Sequence, residues 1–227
     1  MILFVGDTHC DFPFLSKALS VAANNNINNV IVCGDFGYWP DDNEGFVFLS
    51  YLNTFMKEKF VCMNLYFVDG NHEDFKHIKK LPQNKVSEIP EVERCFYIPR
   101  GVVHQIDGKN IMGFGGAYSI DRLYRQIGVS WFEEETIKDD EIERINNNIP
   151  IDILVCHDAP LNILGTNYKN DMLSLLNRFQ IQKICKIVQP KTLIHGHYHI
   201  FKEYTYNDIE CIGLAHNHSL QQNCLIK

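Results

Sequence analysis

Five short apolar runs in this chain, rich in β-branched and aromatic residues, each stop abruptly at side chains able to bind metal. The runs are Ile2 to Val5, Val30 to Cys33, Leu65 to Val68, Ile151 to Cys156 and Thr192 to Ile194. Bounded by turn signals, they read as buried strands. The polar clusters that follow them are Asp7-Thr8-His9, Gly34-Asp35, Gly70-Asn71-His72, His157-Asp158 and Gly196-His197-Tyr198-His199. Carboxylate, imidazole and amide groups are costly to bury unpaired, so their repetition where strands emerge says that one site gathers them. The chain is thereby tied to an arrangement in which five strand ends meet.

Between the first two runs, Phe14, Leu15, Ala18, Leu19 and Ala22 recur at helical spacing, and Pro13 suits a first helical turn. Leu49, Leu52, Met56 and Phe60 mark a second helix. Glu133, Glu134 and Glu135 favour the start of a third through the helix dipole, with its end near Asn146 to Pro150. A fourth spans Leu173 to Val188 and stops at Pro190. The segment Arg94 to Ser119 differs, because Asp107-Gly108 between Val102 to Ile106 and Asn110 to Phe114 signals a two-residue hairpin. Asn207-Asp208 divides Glu203 to Tyr206 from Ile209 to Leu214 in the same way. The order βαβα, hairpins, αβ, hairpins predicts an α/β (α+β) fold of two packed sheets with helices outside. With 227 residues and 45% hydrophobic content, the expectation is one domain over residues 1–227.

A formal net charge of -7 argues against extended sequence-independent nucleic-acid binding, which needs a basic surface to neutralise phosphates. Eight cysteines are scattered without a CxxC pair, and Cys33 and Cys156 sit inside apolar runs, as expected for reduced core thiols of a cytoplasmic protein. Met1 to Val5 lacks a basic leader and reads as a first strand. No apolar stretch approaches the roughly 20 residues of a membrane helix, so no membrane partner is expected.

Taken singly, each cluster has a bland reading as a turn, a rim histidine or a solvated loop. Jointly those readings fail, because all five recur in the same strand-end context. The donors Asp7, His9, Asp35, Asn71, His157, His197 and His199 are oxygen and nitrogen without a thiolate. Such a set suits manganese, iron, zinc or nickel in an open site rather than a closed structural one. Seven donors exceed one tetrahedral ion, so two divalent ions sharing Asp35 is the economical count. Two ions roughly 3.5–4 Å apart can hold a hydroxide and clamp a phosphoryl group.

In this order the blocks D-x-H, G-D, G-N-H, H and G-H-x-H, spanning Asp7 to His199, resemble the calcineurin-like metallophosphoesterase superfamily. The resemblance implies a double β-sandwich of two mixed sheets flanked by helices. It implies that Asp7, His9, Asp35 and His199 hold one metal, that Asp35, Asn71, His157 and His197 hold the other, and that His72 protonates the leaving oxygen. The stretches Gly34 to Pro40, Gly115 to Asp121 and Ser130 to Glu135 also look like a small phage and bacterial branch of that superfamily. The expected activity is dinuclear metal-dependent hydrolysis, manganese foremost, of a small phosphate mono- or diester by metal-hydroxide attack. The alternatives are a nuclease or cyclic-nucleotide phosphodiesterase and, from another class, a non-catalytic scaffold.

The second block departs from the G-D-x-x-D-R-G of the superfamily's serine/threonine phosphatases, reading Gly34-Asp35-Phe36-Gly37-Tyr38. The partner of His72 and the arginine for phosphate must therefore come from elsewhere. Asp41, Asp42 and Glu73 lie near His72 in sequence. Arg122 and Arg125, with Tyr118, occupy the loop after Gly115-Gly116 and are candidate substrate-binding residues; Arg100 is weighed evenly between phosphate contact and solvent. His195 is a candidate support for the ligands. His216 and His218 repeat the H-x-H spacing but read as structural or surface residues.

Overall fold

A computed structural model describes residues 1–161, 172–216 and 220–227, and its described strands form two six-stranded sheets. In the first, β1 (Ile2–Val5), β2 (Asn29–Val32), β3 (Asn64–Phe67) and β5 (Cys95–Tyr97) run parallel. Its antiparallel edges are β12 (Cys224–Ile226), beside β1, and β4 (Ser87–Glu88), beside β5. In the second, β7 (Lys109–Phe114), β8 (Ile153–Cys156), β9 (Thr192–His195) and β11 (Ile209–Gly213) are parallel. Antiparallel β6 (Val103–Ile106) and β10 (Lys202–Tyr206) close its edges. These are the two sheets that the element order predicts, and they are mixed, as the resemblance implies.

Strands of unbroken apolar sequence are those whose two faces are both covered. Ile2, Phe4, Ile31 and Val68 of the first sheet face inward with Ile111, Ile153, Val155 and Ile194 of the second. The alternate residues Leu3, Val5, Val30, Val32 and Phe67 point outward onto α1 (Phe12–Asn24) and α2 (Asn43–Lys59). Leu154, Cys156 and Leu193 meet α4 (Asp139–Glu143) and α5 (Met172–Val188) through Ile142, Ile181 and Ile184. Each such side chain contributes roughly 1.5–3 kcal/mol when buried, so a one-residue register slip in β1 would exchange two cores at once.

The helices begin directly beyond the polar strand ends. Asp11 accepts from the Phe14 amide at 2.9 Å to start α1, with Pro13 in its first turn. Asp42 does the same for Glu44, so α2 begins earlier than its apolar spacing shows. Both hairpins form, with Asp107, Gly108, Asn207 and Asp208 all at positive φ.

The expected long helix from Glu133 does not form. A 3-10 turn at Glu133–Glu135 is followed by the separate short α4. The break has a local cause: the Ile137 amide donates to Asn177 Oδ1 at 2.9 Å instead of to a helical carbonyl, and the Glu135 side chain folds back onto the Phe132 amide. Strands β5 and β12, three residues each, escaped the sequence reading because they are too short to show a period.

Candidate metal centre

The first three polar clusters follow adjacent parallel strands of one sheet, and the last two follow adjacent strands β8 and β9 of the other. The two sets of strand ends therefore face one another across the sandwich. Asp7, Asp35, Asn71 and His157 are all buried. Their loops are stitched together: the amides of Thr8 and His9 donate to the Asp35 carbonyl, the His72 amide to Asp35 Oδ1, and the His197 amide to Asp7.

Two groups of donor atoms converge. In the first, His199 Nε2 lies 2.9 Å from Asp7 Oδ2, and His9 Nε2 lies 3.3 Å from His199 Nε2 and 3.5 Å from Asp35 Oδ2. In the second, His157 Nε2 is 3.1 Å from Asn71 Oδ1 and 3.3 Å from Asp35 Oδ2. Asp7 belongs to both groups, with Asp35 and His157 in one and His9 and His199 in the other. The His197 ring stands beside them, 4.9 Å from the His157 ring between centroids.

The donor set fits a cation. His157 Nδ1 sits 2.9 Å from the Cys33 carbonyl and donates to it, which leaves Nε2 aimed at two oxygens that can only accept. A proton or a metal ion must supply the missing positive charge. Burial works against a charged His157, yet Asp35 and Asp7 outweigh it and push its pKa up to about 10. Burial would likewise raise Asp7 and Asp35, but His157 and its neighbours hold both below the ordinary carboxylate value. The divalent ions that the resemblance implies are thus accommodated by these side chains, with His9, His199 and Asp7 on one side and His157, Asn71 and Asp35 on the other.

This convergence strains the backbone. His9, Asp35, His197 and His199 all adopt positive φ, at 43°, 45°, 69° and 55°. Non-glycine residues rarely do so, and each costs on the order of 1–3 kcal/mol unless the surroundings enforce it. Glycines make the room. A Cβ on Gly34, itself at φ +92°, would meet His157 Nδ1 at 2.2 Å, and one on Gly196 would meet Asp7 Oδ1 at 1.9 Å.

His72 turns its ring toward an arginine. Arg125 Nη2 lies 2.7 Å from His72 Nε2 and 3.2 Å from Nδ1, and a guanidinium can only donate, so the ring accepts. Burial lowers the His72 pKa; Asp35 opposes this and Arg125 adds to it. His72 and Arg125 line a cleft of ≈ 370 Å³ with His9, Trp39, Asp42, Glu44 and Ser130. The carboxylates near His72 in sequence bond to other partners. Asp41 faces His77 at 3.4 Å, Asp42 caps α2, and buried Glu73 accepts from the amides of Phe36, Gly37 and Gly70. Burial, with the charge of Asp35 adding to it, pushes Glu73 up to about 8.

Arg122 does not line that cleft. Its guanidinium lies over the rings of Tyr118 and Trp131, and all three line a separate groove beside α5. Arg100 is held by Asp69 at 2.6 Å and Glu141 at 3.0 Å, its side chain 7% exposed, and does not line the cleft of His72. His195 supports no donor: its Nδ1 faces the Gly196 carbonyl and its Nε2 the Tyr204 hydroxyl. His216 stands closer to the centre than its sequence reading, with Nδ1 2.8 Å from the Asp7 carbonyl and its ring 4.8 Å from that of His199. His218 lies outside the described residues. The sequence reading missed Ser119, which accepts from Asn71, and Glu135, which accepts from Ser119; a lone serine and one glutamate of three carry no signal.

Two mixed sheets with carboxylates and imidazoles gathered where parallel strands end define a metallophosphoesterase fold. A model of the calcineurin-like phosphoesterase family matches residues 1–201, and the chain belongs to that family. Among solved structures, TT1561 of Thermus thermophilus is similar at 11% identity and a TM-score of 0.58, covering 95% of this chain and 88% of its own. A candidate 5'-nucleotidase from Staphylococcus aureus, solved with alpha-ketoglutarate, gives 13% and 0.53 over 100% of this chain and 52% of its own. GAP50, the anchor in the inner membrane complex of Plasmodium, gives 11% and 0.50 over 93% and 70%. No curated protein matches the chain. Among the described residues, no helix is long and apolar enough to cross a membrane.

Proposed function

We propose that this chain is a dinuclear metal-dependent phosphoesterase acting on a small phosphate mono- or diester. The observation that carries the reading is the pair of converging donor groups, joined through Asp7 and Asp35, beside a cleft that contains both His72 and Arg125. His9, His199 and Asp7 would hold one ion and His157, Asn71 and Asp35 the other, with His197 as the further donor the resemblance supplies. Hard oxygen and nitrogen donors suit manganese first, then iron, zinc or nickel. When bound, such ions supply Lewis-acid polarisation of phosphorus and activation of water.

The chain's own residues do the rest. Arg125 is the cation that meets the phosphoryl oxygens, in the forked geometry that suits a guanidinium. Drawn onto an anion, it releases the His72 ring and removes the positive charge that disfavours its protonation. His72 then delivers a proton to the leaving oxygen as general acid. A member of this fold can serve as an anchor, so fold alone does not decide for an enzyme; the full donor set is what favours one. The test is a panel of monoester, diester, cyclic-nucleotide and oligonucleotide substrates with manganese-loaded protein. Turnover of a small ester is expected. Cleavage of oligonucleotides alone would favour the nuclease reading, and no turnover of any ester would favour the anchor.

A further inference from the structure

Asn71 is the one amide among the candidate donors, and an amide has two ends. Its oxygen points at His157 Nε2, while its nitrogen donates to Ser119 Oγ at 2.9 Å. Rotating the amide by half a turn would present a donor to the metal side and remove the ligand. What opposes this is the hydroxyl of Ser119, which accepts from Asn71 when it gives its own proton to the ionised Glu135 carboxylate at Oε2. Asn71, Ser119 and Glu135 are all buried, so no water competes for these positions.

Glu135 is itself held from behind. Its Oε1 accepts from the Phe132 amide at 3.0 Å and lies 3.7 Å from Arg125 Nη1. Arg100 donates to the carbonyls of Glu134 and Thr136, at 2.8 and 3.2 Å, and is anchored by Asp69. Asp69 comes two residues before Asn71, and its carbonyl accepts from Gly116, three residues before Ser119. The polar links thus run in a closed circuit from Asp69 through Arg100, the segment at Glu135 and Ser119 back to Asn71.

We infer that Ser119 and Glu135 are positioning residues that fix which end of the Asn71 amide faces the second metal. The circuit explains why a hydroxyl and a carboxylate are buried together beside the donor groups, and it grips the nitrogen end of the amide while His157 faces the oxygen end. The inference rests on the dinuclear reading above. Partners of this kind typically change metal affinity by about 10–100-fold when removed.

The test is manganese binding followed by electron paramagnetic resonance, in which two neighbouring ions give a spin-coupled spectrum and a single ion does not. Wild type, Ser119→Ala and Ser119→Thr are titrated with manganese, and thermal unfolding of each metal-free protein reports on folding. Ser119→Ala is expected to need about 10–100-fold more manganese to reach the coupled spectrum, and Ser119→Thr, which keeps the hydroxyl, to titrate like wild type. Should Ser119→Ala fail to fold, Glu135→Gln carries the test with the hydroxyl in place and is expected to weaken the second ion by a smaller factor. A coupled spectrum at wild-type manganese concentration in the folded variant overturns the inference while leaving the metal reading intact. A wild type that never shows the coupled spectrum overturns the metal reading and the inference together.

Discussion

The strand ends and the loop from Gly115 to Glu135 face the same cleft, yet they are built on opposite plans. The strand-end donors sit on buried parallel strands, on loops tied by backbone hydrogen bonds, in conformations strained enough to need glycines beside them. The loop is held at separate points along its length: Gly116 on the Asp69 carbonyl, Ser119 on Asn71, Arg125 on His72, Glu134 on Arg100 and Glu135 on Ser119. Between these points Ile120, Leu123, Tyr124 and Ile127 are each at least 75% exposed. Chemistry shared across a family can be fixed in the rigid part, while the part that meets the rest of a substrate stays free to differ.

That contrast breaks first at His72, which belongs to the strand ends but touches the loop. His72→Ala should leave metal content unchanged and slow alkyl phosphate esters by about 100-fold or more, with far less effect on aryl esters whose leaving groups need no proton. Equal losses on both would remove His72 as the acid and leave the cleft with metal chemistry alone.

The strand ends alone should respond to pH through metal uptake. In the metal-free protein His157 keeps its proton up to about 10, and coordination requires its removal. Binding therefore releases a proton below that value, and affinity at this position should rise about tenfold per pH unit between roughly pH 7 and 9. Calorimetric titration in buffers of different ionisation enthalpy reads both quantities; a flat profile would mean that His157 is not displaced from its proton by the ion.

Within the loop, two arginines three residues apart separate reading from packing. Arg125→Ala should raise KM by about 10–100-fold, the loss expected for a charged hydrogen bond, with kcat less affected. Arg122→Ala, which loses the contacts to Tyr118 and Trp131, should change kcat/KM by about twofold or less. Reversal of the two effects would move the substrate to the groove beside α5.

The same division decides what could be read in advance. Asp7, Asp35, Asn71 and His157 were legible because each ends an apolar run, a pattern that hydrophobic periodicity exposes. The two-sheet architecture followed from the same runs, together with Asp107-Gly108 and Asn207-Asp208. Arg125 was one of several arginines with equal claims, since nothing local distinguishes it from Arg122; only tertiary structure brings it to His72. Ser119 and Glu135 were invisible for a related reason. Glu135 stands in a run of three glutamates that reads as an exposed helix start, and only one of them is turned inward by bonds to Ser119 and Phe132.

The central claim is that two ions are held jointly by carboxylates shared between the strand ends. Elemental analysis of manganese-loaded protein after exhaustive removal of free metal tests it most directly, in wild type and in Asp35→Asn. The account predicts two ions per chain in wild type and fewer than one in the variant, because Asp35 faces both His9 and His157. One ion or none in wild type, or two ions retained by Asp35→Asn, would contradict it.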